Sequence, residues 1–275
     1  MRRMLELPEV TLCCVDTRTV PLARYSMQQC LNVARFGDAV FLGPQGEQER
    51  HAMPPSVRWV DTPPLKGIED YNRIMLQGLL PHVHTSHLLI VQWDGFIANP
   101  AAWRPEFLDW DYVGAPWYHA GHPGMVGNGG FSLRSRRLLE ALTQMPLDTQ
   151  TPEDMWVCVE KRHELEQTYN IRFAPLALAQ AFSCEYGPYR PAFGFHSMHN
   201  FAYVMNELDL DEWLSFAPNE LMHLKHTKKL IKSLSESGRS KDAINLMRRR
   251  LSARPMNFDD MLLCARVFLK TLARR

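Results

Sequence analysis

A short apolar run near the middle of the chain, followed at once by polar residues and a glycine, most constrains the fold. Residues 88–91 are aliphatic and β-branched, and a run this short is typical of a buried strand rather than a helix. The run ends in Gln92-Trp93-Asp94-Gly95, so a carboxylate follows the carboxyl end of the strand. Ligands bind at that edge in open α/β sheets. Asp94 is therefore a candidate binding residue, and a strand-capping aspartate in a tight turn is the alternative.

Apolar strand segments alternate with helical segments from the N-terminus to this run. The predicted strands are Val10–Val15, Ala39–Leu42, Val57–Val60 and Leu88–Val91, and the predicted helices are Leu22–Ala34 and Gly67–Leu80. This order is typical of βαβ units, so we predict a largely parallel sheet in a three-layer α/β/α sandwich. Farther along we predict strands at Tyr112–Ala115, Phe131–Arg134 and Ile171–Ala174, and helices over residues 135–144 and 155–168.

The C-terminal part of the chain differs from the rest in charge and in pattern. Residues 221–275 carry 14 Lys and Arg against 4 Asp and Glu, although the whole chain has a formal net charge of only +1. The pattern after Asp209 is helical, and residues 226–257 resemble one tetratricopeptide-like hairpin with its turn at Gly238. We expect a first domain over residues 1–208 and a helical C-terminal appendage over residues 209–275. A single repeat cannot bury its own apolar face, so the hairpin should dock on the first domain or on a partner.

Composition and missing motifs exclude several classes of protein. Hydrophobic residues make up 45% of the chain and charged residues 22%, which is ordinary for a soluble globular protein. No apolar stretch approaches the roughly 18 residues of a membrane span, and Glu6 and Pro8 interrupt the N-terminal segment, unlike a signal peptide. The six cysteines are scattered without a C-x-x-C pair, as in reduced intracellular proteins. We therefore expect a cytoplasmic protein.

Nucleotide-binding and nucleic-acid-binding motifs are also missing. The sequence has no G-x-G-x-x-G after its first strand and no Walker loop, which argues against dinucleotide-binding and P-loop proteins. The basic tail lacks a known nucleic-acid-binding module and aromatic stacking residues, so we expect no nucleic-acid partner.

Three further motifs contain residue types that suit a binding site. Gly127-Asn-Gly-Gly130 permits close backbone approach, although Asn-Gly is also the strongest hairpin-turn signal. Glu153-Asp154 begins a predicted helix, where the pair is either functional or an ordinary first turn capped by Thr151. Phe193-Gly-Phe-His196 places a histidine in a constrained turn, either as a metal ligand or as a structural residue. His119 and His122, in the glycine-rich loop before residue 127, are a weaker metal-binding alternative.

Together with Gln92-Trp-Asp94-Gly-Phe, these motifs resemble the motif set of GT-A fold glycosyltransferases. The chain is most similar to a bacterial and fungal glycosyltransferase-like family with Q-x-D-G-F in place of the usual D-x-D, from about Val10 to Asn200. The resemblance implies a Rossmann-like nucleotide-sugar-binding domain. It also implies a glycosyltransferase of polysaccharide biosynthesis that moves a sugar from a nucleotide-diphosphate donor to a hydroxyl of a glycan or glycolipid, with inversion and metal assistance.

The resemblance implies that Asp94 and His196 bind a divalent ion, Mn2+ or Mg2+. Such an ion neutralises the charge that develops on a leaving diphosphate. Gln92 departs from the pattern, because an acidic residue normally stands at that position. Its amide binds a ribose or a metal-bound water but adds no charge, so we expect lower ion affinity or metal-independent catalysis.

The remaining site residues are also implied by the resemblance. Asp154, with Glu153 as second choice, would be the base that takes the proton of the acceptor hydroxyl. The residues expected to contact the donor are Thr17, Arg18, Tyr71, Asn72, Gln92 and Trp93. The residues expected to line the sugar and acceptor pocket are Trp117, Gly127, Asn128, Gly129 and Gly130.

The basic tail and Gln92 leave two further questions of function open. One interpretation of the tail is that it places the protein at an anionic lipid surface, on the inner face of a membrane and near a lipid-linked acceptor. The other is that it forms an ordinary solvated helix face. Its basic residues are Lys225, Lys228, Lys229, Lys232 and Arg248 to Arg250. Gln92 favours the alternative function, a non-catalytic nucleotide-sugar- or carbohydrate-binding relative whose helical tail recruits partners.

Overall fold

A computed structural model describes residues 4–118, 125–253 and 255–272. The chain forms two compact units, residues 1–196 and 197–275. The division follows His196 directly, at Ser197, whose φ of 83° places it in the left-handed region. The expected boundary lay later, after residue 208.

The first unit is built on a mixed sheet. Its strands are β1 (Leu5–Val15), β2 (Ala34–Pro44), β3 (Arg58–Thr62), β4 (His87–Val91), β5 (Phe96–Ile97), β6 (Tyr112–Gly114), β7 (Phe131–Ser135), β8 (Ser183–Cys184) and β9 (Gly194–Phe195). The larger sheet has the order β3-β2-β1-β4-β7-β6. β1 to β4 are parallel, whereas β7 is antiparallel to both β4 and β6. The expected parallel arrangement thus holds for four of the six strands.

Helices cover both faces of the larger sheet. They are α1 (Val20–Leu31), α2 (Ile68–Arg73), α3 (Arg136–Thr143), α4 (Glu153–Met155), α5 (Arg162–Tyr169) and α6 (Leu176–Phe182). Met75, after α2, and Leu139 of α3 pack with Val40 and Leu88 on one face. α1 packs on β1 and β2, on the other face. Side chains alternate along a strand, so Cys14 points to this face, opposite to its neighbour Cys13. The α/β sandwich class is confirmed.

Two predicted helices are interrupted where site residues lie. Residues 74–78 and 156–160 form π-helical turns, directly after α2 and α4. Such turns occur frequently at functional sites. Hydrophobic periodicity does not reveal them, because the apolar pattern continues through the wider turn.

The predicted strand at residues 171–174 is wrong. Among the described residues this segment forms only an isolated bridge between Tyr112 and Phe173. The backbone N–H of Arg172 donates to the carboxylate of Asp111 at 2.7 Å, and the N–H of Asp111 donates to the carbonyl of Arg172 at 2.8 Å. A side chain therefore takes the hydrogen bond that a neighbouring strand would have needed.

A second sheet, which the sequence did not predict, has the order β5-β9-β8. Each of its strands has two residues, too few for a periodic pattern. Gly194 packs so closely on the larger sheet that an added Cβ would lie 2.1 Å from the ring of Phe131. The small sheet matters because Asp94 precedes β5, Glu185 follows β8 and His196 follows β9.

The second unit is helical, as expected for the C-terminal region. Its helices are α7 (Phe201–Val204), α8 (Glu207–Phe216), α9 (Asn219–His223), α10 (Lys225–Glu236), α11 (Ser240–Ala253) and α12 (Phe258–Leu272). α10 and α11 form the expected hairpin, with Gly238 at a φ of 93° in the turn. None of the described helices is both long enough and apolar enough to cross a bilayer.

Two arginines of the expected basic surface are bonded within the second unit. Arg250 is fully buried, and its Nε lies 3.0 Å from Oδ1 of the buried Asp260. Arg249 donates to the carbonyl of Ala217 at 2.7 Å. The expectation that all three residues of the run 248–250 face a lipid surface is therefore wrong, because two of them hold helices together.

Candidate active site

The structure brings Asp94 and His196 together. Asp94 lies in the turn between β4 and β5, and His196 follows β9, which pairs with β5. Oδ1 of Asp94 lies 3.1 Å from Nε2 of His196, and both side chains are largely buried. The small sheet thus joins residues that are far apart along the chain.

Two more polar side chains surround the imidazole of His196. Nε2 of His196 lies 3.2 Å from Oε1 of Gln92, and Nδ1 lies 3.2 Å from Oε1 of Glu185. Gln92 in turn donates from its amide nitrogen to the hydroxyl of Tyr71 at 2.7 Å. Glu185 holds one side of the ring, while Asp94 and Gln92 face the other.

Sequence reasoning missed Glu185. It follows a two-residue strand and precedes the turn Tyr186-Gly187-Pro188, where Gly187 has a φ of 84°. A carboxylate between a buried segment and such a turn is the same signal that identified Asp94. The strand before Glu185 is too short to show in the apolar pattern.

The two carboxylates around the ring favour the protonated form of His196. Burial disfavours a charge on His196, but the carboxylates of Asp94 and Glu185 outweigh burial and hold the pKa of His196 well above its ordinary value. An imidazolium therefore lies between two carboxylates.

The residues at this position fit a divalent cation that takes oxygen and nitrogen ligands, provided that the cation displaces the proton from Nε2 of His196, because only the neutral ring offers a lone pair to a metal. Ligands about 2.1 Å from an octahedral ion and at right angles are about 3.0 Å apart. Nε2 of His196 lies at similar distances, 3.1 and 3.2 Å, from the oxygens of Asp94 and Gln92. Glu185 on Nδ1 matches the carboxylate that usually orients a metal-binding histidine.

The protein would supply only part of the coordination sphere. Within the described parts of the chain, no group of three or more His, Cys, Asp and Glu residues could hold a metal ion. An ion at Asp94 and His196 would therefore take further ligands from substrate phosphates, as Mg2+ commonly does. The alternative ligands His119 and His122 lie outside the described residues.

The glycine segment, residues 127–130, packs against the groups of the site. An added Cβ would lie 2.4 Å from the ring of Trp117 at Gly127, 2.1 Å from Oε1 of Glu153 at Gly129, and 2.3 Å from Nε2 of His196 at Gly130. Side chains are excluded at all three positions for steric reasons. Asn128, between them, is buried, and its side-chain oxygen has no hydrogen-bond partner among the described residues.

Asp154 contacts this segment at Gly129, next to the glycine that meets His196, and faces a cleft. Its carboxylate accepts hydrogen bonds from the backbone N–H groups of Gly129, at 3.3 Å, and Met155, at 2.9 Å. The cleft has a volume of about 530 Å³. It is lined by Trp117, Tyr118, Pro152, Asp154, Met155, Tyr186 and Gly187.

Burial, and then the neighbouring charge of Glu153, raise the pKa of Asp154 to about 6. A carboxylate with a pKa near the working pH, in a cleft, suits a general base.

Glu153 has a different environment from Asp154. Its Oε1 lies 2.9 Å from Nη2 of Arg134, and both side chains are buried. Asn72 accepts a hydrogen bond from the backbone N–H of Glu153 at 3.1 Å and donates to the carbonyl of Thr151 at 2.8 Å. Glu153 is therefore fixed in an ion pair rather than directed into the cleft. Sequence reasoning gave Arg134 no role, although a basic residue inside an apolar strand signals a buried partner.

The structure excludes Thr151 as the cap of the acidic helix turn. Pro152 occupies the N-cap position of α4 and makes no side-chain hydrogen bond there. The hydroxyl of Thr151 lies instead 3.4 Å from Oε1 of Glu160. The alternative that the acidic pair merely follows a capping threonine is therefore wrong.

Four of the residues expected to contact the donor lie next to the site. Tyr71 and Gln92 hydrogen-bond each other, and burial raises the pKa of the Tyr71 hydroxyl far above its ordinary value. Asn72 is fully buried and holds the loop before Asp154. Trp93 accepts a hydrogen bond from Ser26 through its backbone carbonyl at 2.9 Å. A donor contact of these residues stays a prediction.

Thr17 and Arg18 lie at the carboxyl end of β1. The hydroxyl of Thr17 accepts from the backbone N–H of Leu65 at 2.9 Å, and Nε of Arg18 donates to the carbonyl of Leu65 at 3.0 Å. β1 and β4 are parallel neighbours, so these residues share the sheet edge of Asp94. Both residues hold the segment before α2.

Fold and site define a mixed α/β protein whose small second sheet brings a carboxylate and an imidazole together. The chain belongs to the protein family described as "Protein of unknown function (DUF5672)", which matches residues 55–196. This match contains Gln92, Asp94, the glycine segment, Asp154 and His196, but not Thr17 and Arg18. No curated protein matches the chain.

Solved structures of glycosyltransferases resemble the chain at low identity. The galactosyltransferase LgtC in complex with donor and acceptor sugar analogs is 10% identical, with 77% of this chain and 98% of that chain covered and a TM-score of 0.43. The mannosyltransferase PcManGT from Pyrobaculum calidifontis, in complex with GDP-Man and Mn2+, is 11% identical, with 98% of this chain and 83% of that chain covered and a TM-score of 0.42. A glycosyltransferase involved in glycosylation of the major capsid of PBCV-1 is 12% identical, with 75% and 98% covered and a TM-score of 0.42.

The contact between Gly130 and His196 predicts a specific steric effect. Gly130→Ala should displace the imidazole and lower the free energy of unfolding by about 1–3 kcal/mol, as overpacking usually does. Gly67→Ala is the control, because its Cβ would meet nothing within 4 Å. Denaturant unfolding and the NMR signals of His196 measure both effects. Equal stability of the two variants, with unchanged His196 signals, would show that the contact does not exist.

Proposed function

We propose that the protein is a glycosyltransferase that moves a sugar from a nucleotide-diphosphate-sugar donor to a hydroxyl of a glycan or glycolipid. One observation carries this proposal. A carboxylate whose pKa is raised to about 6 faces an aromatic-lined cleft, and the short glycine segment connects it to the Asp94–His196 pair. A proton acceptor and a cation-binding pair beside adjacent glycines of one backbone segment, Gly129 and Gly130, suit the transfer of a sugar from a diphosphate.

The part of the site around Asp94 and His196 would bind the donor diphosphate. Asp94, His196 and the amide oxygen of Gln92 would hold Mn2+ or Mg2+, which when bound supplies positive charge to the leaving diphosphate. Glu185 would keep Nε2 of His196 directed at the site through its contact with Nδ1. The glycines would let the donor sugar approach the backbone closely, because they leave no side chain in the way.

The cleft that Asp154 faces would bind the acceptor. The acceptor hydroxyl would give its proton to Asp154 as its oxygen attacks the anomeric carbon. The bond from that carbon to the diphosphate oxygen breaks in the same step, and the electron pair stays on the diphosphate. Attack opposite to the leaving group inverts the anomeric configuration. Trp117, Tyr118 and Tyr186 would position sugar rings, since aromatic faces suit their apolar surfaces.

The alternative function is a non-catalytic protein that binds a nucleotide sugar or a carbohydrate. Gln92 favours it, because a neutral amide in place of an acid contributes no charge beside Asp94 to attract a cation. A nucleotide-sugar-binding relative would differ from the glycosyltransferase in turnover alone, whereas a carbohydrate-binding relative would differ in donor binding as well.

Asp154→Asn separates these functions. In calorimetry with a panel of nucleotide sugars, with and without Mn2+, we expect the wild type and the variant to bind the same donor with similar affinity. Slow donor hydrolysis should fall by about 100-fold or more in the variant, because the base is lost. Asp211→Asn, the same change at an exposed residue, should leave hydrolysis unchanged. Donor binding without any hydrolysis or transfer by the wild type would favour the alternative function. Unchanged hydrolysis in Asp154→Asn would remove the base assignment.

The raised pKa of Asp154 predicts the pH dependence of the reaction. A base works only when deprotonated, so kcat/KM should rise about tenfold per pH unit below about pH 6 and level off above it. The initial rate of donor hydrolysis across this range measures the profile. A rate that stays constant between about pH 5 and about pH 7 would contradict Asp154 as the base.

We also propose that the second unit binds an anionic lipid surface. Large apolar side chains on one face of α12 are exposed to solvent, at helical spacing. They are Phe258, Met261, Leu262, Phe268 and Leu269, with exposed fractions of 55–70%. The segment 221–275 has 14 basic against 4 acidic residues, which is complementary to anionic headgroups.

Vesicle sedimentation tests this lipid contact. Leu269→Ser should weaken binding to phosphatidylserine vesicles about tenfold, because one apolar side chain is lost from the membrane face. Leu208→Ser, at another exposed leucine of the same unit, is the control and should bind like the wild type. If the wild-type protein did not bind anionic vesicles, the proposal would be wrong. If it formed a dimer that Leu269→Ser abolished, the face would bind a second copy instead.

A further inference from the structure

A second cavity opens beside the cleft that holds Asp154. It has a volume of about 180 Å³. Tyr118, Tyr186 and Gly187 line both the cavity and the cleft. A molecule that places a hydroxyl at Asp154 can therefore extend past these residues into the second cavity.

Arg190 gives this cavity a positive charge. Its Nη1 lies 3.5 Å from the hydroxyl of Tyr118, and its guanidinium carbon lies 5.8 Å from the centre of the Tyr118 ring. Arg190 forms no ion pair with any residue that the structure describes. In contrast, Arg134 and Arg137 of the same unit both pair with a carboxylate. An arginine in a cavity without a carboxylate partner is suited to bind an anion from outside.

Two neutral polar side chains line the same cavity as Arg190. Ser183 lines the cavity and is buried, and its hydroxyl has no hydrogen-bond partner among the described residues. Gln180 donates from its amide nitrogen to the hydroxyl of Tyr118 at 2.8 Å and so fixes the tyrosine beside Arg190. A buried hydroxyl without a partner is disfavoured unless a ligand or water completes it.

The carboxylate of Glu185 also lines the cavity, but it is engaged elsewhere. Its Oε1 lies 3.2 Å from Nδ1 of His196. An anion in the cavity would therefore bind at the Arg190 end, away from this oxygen, since like charges repel.

We propose that this cavity is an acceptor subsite for an anionic group, a carboxylate or a phosphate, and that Arg190 recognises it. The proposal rests on the proposed function in that it gives the acceptor at Asp154 an acidic substituent. Arg190 would bind two oxygens of the anion through its planar fork of N–H groups, and Ser183 would donate a further hydrogen bond. The sugar ring that carries the anion would lie along Tyr186. The preferred acceptor is thus an acidic sugar or a sugar phosphate rather than a neutral sugar.

Ligand titration of the full chain by NMR or calorimetry tests this subsite without turnover. The ligands are glucuronate and glucose 1-phosphate, with glucose as the neutral control. We expect at least one acid to bind about tenfold or more tighter than glucose, because a hydrogen bond to a charged group is among the stronger ones. The acid that gains most identifies the source of the anion. The preference should shrink as salt is added.

Variants at Arg190 complete the test. Arg190→Gln should abolish the preference for the acid, and Arg190→Lys should retain part of it, because a lysine keeps the charge without the planar fork. Arg35→Gln, at an exposed arginine, is the control and should behave like the wild type. The unfolding midpoints of all variants report whether the fold is intact.

Three results would overturn the subsite. They are equal affinity of the wild type for acids and glucose, no detectable binding of either acid, and an acid preference that persists in a folded Arg190→Gln. Donor hydrolysis is measured separately and tests the proposed function. Hydrolysis without acid preference would leave the glycosyltransferase proposal and remove the subsite. Arg190-dependent acid binding without hydrolysis would leave the anion site and remove the glycosyltransferase proposal.

Discussion

The arrangement of the site depends on the imidazole of His196. Two buried carboxylates approach opposite nitrogens of this ring, Asp94 at 3.1 Å and Glu185 at 3.2 Å. Without a cation between them, the carboxylates would repel each other in a poorly solvated place. The imidazole supplies that cation itself, because the two charges hold its pKa high. It also ties β8 and β9 to the turn after β4, so one ring links three segments that the large sheet alone would not bring together.

Adjacent carboxylates in α4 show how environment separates chemical roles. Glu153 and Asp154 differ by one methylene and lie side by side in the chain. Arg134 holds the first as a buried ion pair, whereas the second faces the aromatic cleft and keeps a raised pKa. The charge on Glu153 contributes to that rise, so the ion pair influences the neighbouring residue as well as the packing. Two adjacent carboxylates in different environments are typical of acid–base sites.

Much of the large sheet could be predicted from the sequence, because β1 to β4 are apolar runs separated by helical patterns and turns. Asp94 could be identified in the same way, since the end of a buried strand is where ligands bind in such sheets. The contact between Asp94 and His196 could not be predicted from the sequence. It depends on β5, β8 and β9, whose two residues each are too short for a periodic pattern. Glu185 was missed because β8, which precedes it, is equally short. The role of Arg134 was missed because its partner Glu153 lies 19 residues farther along the chain.

The two π-helical turns have a consequence for insertions and deletions. Each turn, at residues 74–78 and 156–160, is one residue wider than an α-helical turn and directly follows residues of the site. The wider turn accommodates its extra residue within a single turn, so removing one residue there would narrow it to an α-helical turn with little rotation of the flanking segments. The same deletion in a regular α-helix would rotate the residues on one side by roughly 100°. Tyr71 and Asn72, or Glu153 and Asp154, would therefore keep their direction toward their partners. The two π-helical turns are thus the places where the length of these segments can change with the least displacement of the site.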